Sequence, residues 1–286
     1  MRNLLSANFR RLIRGKIFWI AIIFMVGAEI FACAVQYRDV LEYDAVLTMD
    51  QMTFQTGIYL GIVTAVFVSL FVGTEYSDGT IRNKLLVGHK RTQIYLANFV
   101  TCAVAIVIIY ALSVVTGVIL GLLWFEPPAM PVSSILGYCG IGLLMGLANT
   151  AIFCLIAMLC ANKTHTAVAG LLLSFLLLFA AVYVAQMLAQ PEYIQQVALS
   201  ENYSGVEVVY SDEDLQLETV PNPVYLSGVK REVYQFLLDV NPAGQAAEIS
   251  SQELGANPIR IVLYDIAIIV LCGAVGMTVF RRKDIK

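Results

Sequence analysis

Residues 94–124 read IYLANFVTCAVAIVIIYALSVVTGVILGLLW. This stretch decides the fold, because it is long, continuous and free of charge. A bilayer core of about 30 Å is crossed by roughly 20 helical residues. Hydrocarbon offers a peptide group no hydrogen bond, so a crossing chain is either helical or part of a closed barrel. A barrel strand would alternate apolar and polar residues over about ten positions. An unbroken apolar run therefore predicts a helix.

Five further runs of this kind lie near 17–37, 54–73, 132–160, 167–188 and 259–280, so the expected fold is an all-α membrane protein with six transmembrane helices. The composition agrees: 59% of the residues are hydrophobic and 14% charged, where a soluble domain carries about 25% charge. The runs at 94–124 and 132–160 are long enough to tilt or to project beyond the bilayer. The six cysteines, Cys33, Cys102, Cys139, Cys154, Cys160 and Cys272, fall in or at the ends of apolar runs, where a thiol behaves as a small hydrophobe. His89 and His165 stand alone in short polar loops and the spacings of zinc sites are absent, so neither a disulfide nor a metal is expected.

Lysine and arginine set the orientation, since they stay preferentially on the cytoplasmic side. With the N-terminus inside, 14 of the 18 basic residues become cytoplasmic and 16 of the 21 acids fall in outer loops. The opposite orientation inverts both counts. Both termini are therefore expected in the cytoplasm. Residues 1–16 place Leu5, Phe9, Leu12 and Ile13 at helical spacing opposite Arg10, Arg11 and Arg14, which predicts an amphipathic interfacial helix. A cleaved leader ending near Cys33 fits poorly with Glu29 and the bulky Phe31.

Residues 189–257 form the one large polar segment and are expected to be an extracellular subdomain. Its acidic stretch Asp212-Glu213-Asp214 suits an outer loop, and Glu207–Tyr210 reads as a short strand. Val229, Val233, Phe236, Leu237 and Val240 form a helical stripe, expected to pack on its own protein, that ends before Asn241-Pro242. Residues 258–286 complete the chain as the sixth span with a basic tail.

Between the second and third spans, Gly73–Tyr95 reads GTEYSDGTIRNKLLVGHKRTQIY. Asp78 or Thr80 can cap a helix there, Ile81, Leu85 and Leu86 give it an apolar face, and Gly88 suits the left-handed residue that ends it. Arg82, Asn83 and Lys84 are then exposed. A helix this short is marginal alone and gains a fixed geometry by docking.

Glu75, Gly79, Thr80, Ile81, Arg82, Leu85, Leu86 and Arg91 together resemble the permeases of ABC exporters, and more narrowly the type-2 family that exports drugs, peptides and polysaccharides. The whole plan shares the resemblance: an amphipathic entry helix, six spans, a large loop between the fifth and sixth, Asn241-Pro242 and Gly244 late in that loop, and the ending Phe280-Arg281-Arg282-Lys283-Asp284. It implies a multi-pass protein of the bacterial plasma membrane that forms a translocation path for a hydrophobic or amphipathic peptide, drug or lipid. It also implies that loop 74–93 carries a coupling helix seated on a separate ATP-binding subunit, present in two copies, with a second permease copy or homologue completing the complex. Glu75, Asp78, Gly79, Thr80, Ile81, Arg82, Leu85 and Leu86 are then the ATPase-coupling residues.

The chain itself carries no G-x-x-x-x-G-K-[ST] phosphate loop, so ATP and Mg are expected on the partner, with no cofactor on this chain. Catalytic motifs such as H-E-x-x-H and G-x-S-x-G are missing, so an enzyme is not expected. No nucleic-acid partner is indicated, whereas membrane lipid is. A membrane-embedded peptide sensor or immunity protein without transport is the alternative reading. Glu29 and Asp265 lie inside spans, where a charge costs at least about 2.5 kcal/mol, and they are the translocation-path candidates. For Asp265 a partner is available in Arg260, about one turn away. Gly117 and Gly121, and Gly142 and Gly146, give small-residue spacing that lets helices approach closely within the chain.

Overall fold

A computed structural model describes residues 1–160, 162–198, 216–252 and 258–283. Its helices are α1 (Arg2–Arg14), α2 (Lys16–Tyr43), α3 (Met49–Phe54), α4 (Leu60–Ser77), α5 (Thr80–Leu86) and α6 (Arg91–Trp124), followed by α7 (Val132–Cys160), α8 (Lys163–Leu188), α9 (Gly228–Val240), α10 (Pro242–Ser251) and α11 (Pro258–Arg282). Strands β1 (Tyr193–Ala198) and β2 (Gln216–Pro221) pair antiparallel, with Tyr193 opposite Pro221. The expected strand at 207–210 and the acids at 212–214 lie outside the described residues.

Among the described residues, six helical stretches are long and apolar enough to cross a membrane: α2, Met49–Ser77, α6, α7, α8 and α11. Among them α4, α6 and α7 form the middle, with α2 against α6, α8 against α4 and α11 against α7. The glycine pairs make these contacts close. A Cβ on Gly117 would stand 2.9 Å from the Cα of Thr53, and one on Gly121 would stand 3.1 Å from that of Met49, so α3 lies almost backbone to backbone on α6. Gly142 likewise makes room for the Tyr110 ring.

The second span starts earlier than its hydropathy suggests, at Met49 instead of residue 54, and it is broken by a 3₁₀ turn over Gln55–Tyr59. Polar residues at its start hide it from a hydropathy reading. Gln51 accepts from the Thr48 amide at 3.2 Å, one half of a capping box, and the buried Asp50 accepts from the Ala129 amide at 3.2 Å. The break then places Thr56 and Gly57 in the middle of the bundle.

One end of the bundle gathers α1, α5, the starts of α6 and α8 and the ends of α7 and α11. There Arg91 donates to the carbonyls of Phe280, at 3.1 Å, and Lys283, so it caps the last turn of α11, where a helix dipole favours a cation. Lys283 in turn donates to the Met158 carbonyl at 3.0 Å. His165 belongs to the first turn of α8 and not to a loop, because Asn162 caps that helix by accepting from the Thr164 and His165 amides.

At the other end, α9 and α10 form a hairpin that packs on α8. Asn241 sits at its tip. Its Oδ1 caps α10 by accepting from the Ala243 amide at 3.0 Å, and its Nδ2 donates to the Leu177 carbonyl at 2.8 Å. The α9 helix ends where the sequence predicts, but most of its apolar stripe turns outward, with Val240 half-buried and Phe236 keeping one edge-to-face ring contact with Tyr264 at 5.5 Å. Val229, Val233, Phe236 and Leu237 are 74%, 49%, 48% and 45% exposed.

Candidate coupling site at the α5 end

Seven residues fold α5 onto the end of α4. Gly79 turns the chain with φ +66°, a left-handed value that costs a residue with a side chain about 1 kcal/mol or more. It occupies the N-cap position, and no side chain caps the helix, so neither Asp78 nor Thr80 serves as expected. Gly88, at φ +92°, ends the element as predicted. Ile81 is buried and Leu85 half-buried against the bundle, whereas Leu86 turns outward, 76% exposed, beside Val87 at 78%. Arg82 and Asn83 are exposed with them.

Lys84 is not exposed with its neighbours. It reaches back to Glu75, whose carboxylate is only 1% exposed at the end of α4. Arg11 of α1 binds the same Glu75 oxygen at 2.7 Å, with its guanidinium 3.9 Å above the Phe71 ring. The other carboxylate oxygen accepts from Asn98 of α6 at 2.7 Å. Asn8 of α1 closes the circuit, donating to Asn98 at 2.7 Å and accepting from Lys84 at 3.0 Å. Burial pulls the Lys84 ammonium below its ordinary pKa, and the adjacent Glu75 offsets part of that pull.

Four helices thus meet on one buried carboxylate. A buried charge is tolerated only when paired and hydrogen-bonded, so Glu75 fixes α5, α1 and α6 relative to α4 in one arrangement. Two cations face one anion, which leaves the cluster with a net positive charge.

This circuit revises the reading of α1. Its inward face is Leu4, Asn8 and Leu12, with Leu5 and Phe9 half-buried, while Ile13 is 60% exposed. A purely apolar stripe misses this, because the decisive inward residue is Asn8. The signal was a lone amide among apolar neighbours, which is costly to bury without a partner. The same holds for Asn98.

The two translocation-path candidates, Glu29 and Asp265, occupy separate places. Glu29 of α2 is fully buried and accepts from Ser113 of α6 at 3.1 Å and from Thr56 in the 3₁₀ turn. An enclosed cavity of about 10 Å³ lies beside Thr56, Ser113 and Tyr110, room for a single water molecule. Asp265 of α11 is also fully buried, and it accepts from Gln245 of α10 at 3.0 Å. Gln245, and not Arg260, is its partner. Both carboxyls face the interior of the protomer in this conformation.

A profile of the family described as ABC-2 family transporter protein matches residues 4–181, which is more than half of the chain. No curated protein matches it.

Proposed function

The chain belongs to the ABC-2 family of transporter proteins, and on that premise we propose that it is the permease subunit of an ATP-driven exporter. In this reading the ATP-binding subunit is a separate chain, present in two copies, that seats α5 in a groove and holds ATP and Mg. A second permease, identical or homologous, completes the path for a hydrophobic or amphipathic peptide, drug or lipid across the bacterial plasma membrane. The side of the membrane that carries α5 is the cytoplasm.

The observation that carries this reading is the circuit around Glu75. It makes α5 rigid on its inner side through Lys84, while Arg82, Leu86 and Val87 stay exposed on its outer side. A pushing force on α5 therefore passes to α4 and α1 together, as a rigid-body shift requires. Leu86 and Val87 supply the apolar centre of a contact and Arg82 its polar edge, the arrangement of a small protein interface.

The test is co-purification of the membrane complex. An ATP-binding subunit is expected to accompany the wild-type chain and to be lost with Leu86→Asp or Arg82→Glu, while the variant permease stays monodisperse. Full ATPase coupling retained after both substitutions would rule out α5 as the contact. If no ATPase accompanies the wild type, a peptide sensor without transport becomes the better reading.

A further inference from the structure

Gln235 of α9 holds two carboxyls with one amide nitrogen. Its Nε2 donates to Oδ1 of Asp239, one turn along the same helix, at 2.7 Å, and to Oε1 of Glu248 on α10 at 2.8 Å. The two acids are 7% and 5% exposed, so groups of like charge stand buried side by side. Oε2 of Glu248 is buried with no hydrogen-bond partner among the described residues. Nor does a lysine, arginine or histidine among them form an ion pair with Asp239 or Glu248. An ionised oxygen left in that state is costly, whereas a carboxyl that keeps its proton is neutral. Two carboxyls that share a site also resist ionising together. Burial lifts the pKa of Glu248 from 4.5 to about 7, Asp239 adds to the rise, and the Gln235 hydrogen bond opposes it.

The pair is tied to the rest of the bundle. Gln245 of α10 donates to the Asp239 carbonyl at 2.8 Å and to Asp265 of α11 at 3.0 Å, which joins α9, α10 and α11. The other titratable groups around the hairpin supply no counter-charge. Tyr183 of α8 meets Tyr234, Tyr138 of α7 donates to the Gln252 carbonyl at 2.8 Å, and Asp50 of α3 lies beside Gln252. Lys230, Arg231 and Glu232 in the first turn of α9 are exposed, as is Arg260 of α11, and Arg231 lies over the Tyr225 ring at 5.7 Å.

We propose that Asp239 and Glu248 form a proton-binding pair that latches α9 to α10, and that loss of the proton to water loosens the hairpin at the end of the bundle away from α5. With the proton on Glu248, at most one charge rests on the Gln235 amide. Without it there are two, and opening lets water reach the second carboxylate. An opened hairpin gives Glu248 back its ordinary pKa, so opening is favoured as pH rises from 4.5 to about 7 and levels off above that. Through Gln245 the loosening reaches Asp265 and α11. The latch works with or without an ATPase partner.

Amide hydrogen exchange of the full chain in mixed micelles tests this, read as protection relative to the free-peptide rate at each pH. Protection over 233–250 is expected to fall on the order of tenfold per pH unit between about pH 5 and 7, while α4 and α6 keep theirs. Glu248→Gln is neutral at every pH and is expected to hold the protection constant. Asp239→Asn removes the neighbouring charge, so its fall is expected to level off at a lower pH. Protection that ignores pH in the wild type, a fall shared by the whole bundle, or a fall that persists in Glu248→Gln overturns the proposal. Should Glu248→Gln leave the hairpin unprotected at every pH, Asp239→Asn decides, and levelling off at the wild-type pH overturns it.

Discussion

Lys84 on the α5 helix and Glu75 at the end of α4 form a buried ion pair across the left-handed turn at Gly79, where the sequence leads one to expect an exposed lysine. The pair holds α5 from within, and Arg11 joins it from α1 at 2.7 Å. Its two partners are not equivalent. Removing Glu75 strands two cations and the Asn98 amide, whereas removing Lys84 leaves Glu75 still paired with Arg11.

Glu75→Ala is therefore expected to destabilise the protein by about 3 to 5 kcal/mol, the range for breaking a buried pair by deleting one partner. Lys84→Met should cost clearly less. Unfolding of the purified protein in mixed micelles measures both, and equal losses would show that Arg11 does not compensate.

Tyr110 offers a gain of stability. Its hydroxyl is buried with no hydrogen-bond partner among the described residues, and a Cβ on Gly142 would lie 2.0 Å from it. Deleting an unsatisfied buried hydroxyl is neutral or favourable. Tyr110→Phe should hold or raise the thermal midpoint, and it should reduce the loss caused by Gly142→Ala, seen as a positive coupling in a double-mutant cycle.

Gly117 is less forgiving, because a side chain there meets backbone. Its Cβ would stand 2.9 Å from the Cα of Thr53 and 2.7 Å from Oε1 of Glu29. Gly117→Ala is expected to cost about 1 to 3 kcal/mol through overpacking. Glu29→Gln keeps an acceptor for Thr56 and Ser113, so it should be milder than Glu29→Leu in the same unfolding assay.

Glu248 predicts a pH dependence. Burial raises its pKa from 4.5 to about 7, with Asp239 adding to the rise and the Gln235 hydrogen bond opposing it. The folded state then keeps a proton that the unfolded state releases, so stability falls as pH climbs from 4.5 to about 7. The size is on the order of 3 kcal/mol. Glu248→Gln should flatten the thermal midpoint across that window, and an unchanged slope would place the titration elsewhere.

Arg91 spans α6 and α11 by capping the Phe280 carbonyl at 3.1 Å. Arg91→Ala is expected to fray the last turn of α11 at a cost of about 0.5 to 2 kcal/mol. Faster amide hydrogen exchange confined to the residues before Lys283 is the readout.

Residue order alone is enough to read the six spans, their ends to within a few residues at most places, and the family, because a bilayer forces long apolar helices and leaves the polar loops between them plain. It also marked the α5 helix and the left-handed Gly88, since both follow from local chemistry. What each polar residue faces emerges only when the helices pack. Arg11, Lys84 and Asn98 converge on Glu75 from three other helices, Asn8 ties Asn98 to Lys84 across up to 90 positions, and no local pattern records that meeting. The second span begins before residue 54 because Asp50 finds the Ala129 amide, and the α9 stripe, expected to pack on the protein, is largely exposed. In each case the side chain's meaning depends on whether protein, water or lipid surrounds it, and that is settled by packing.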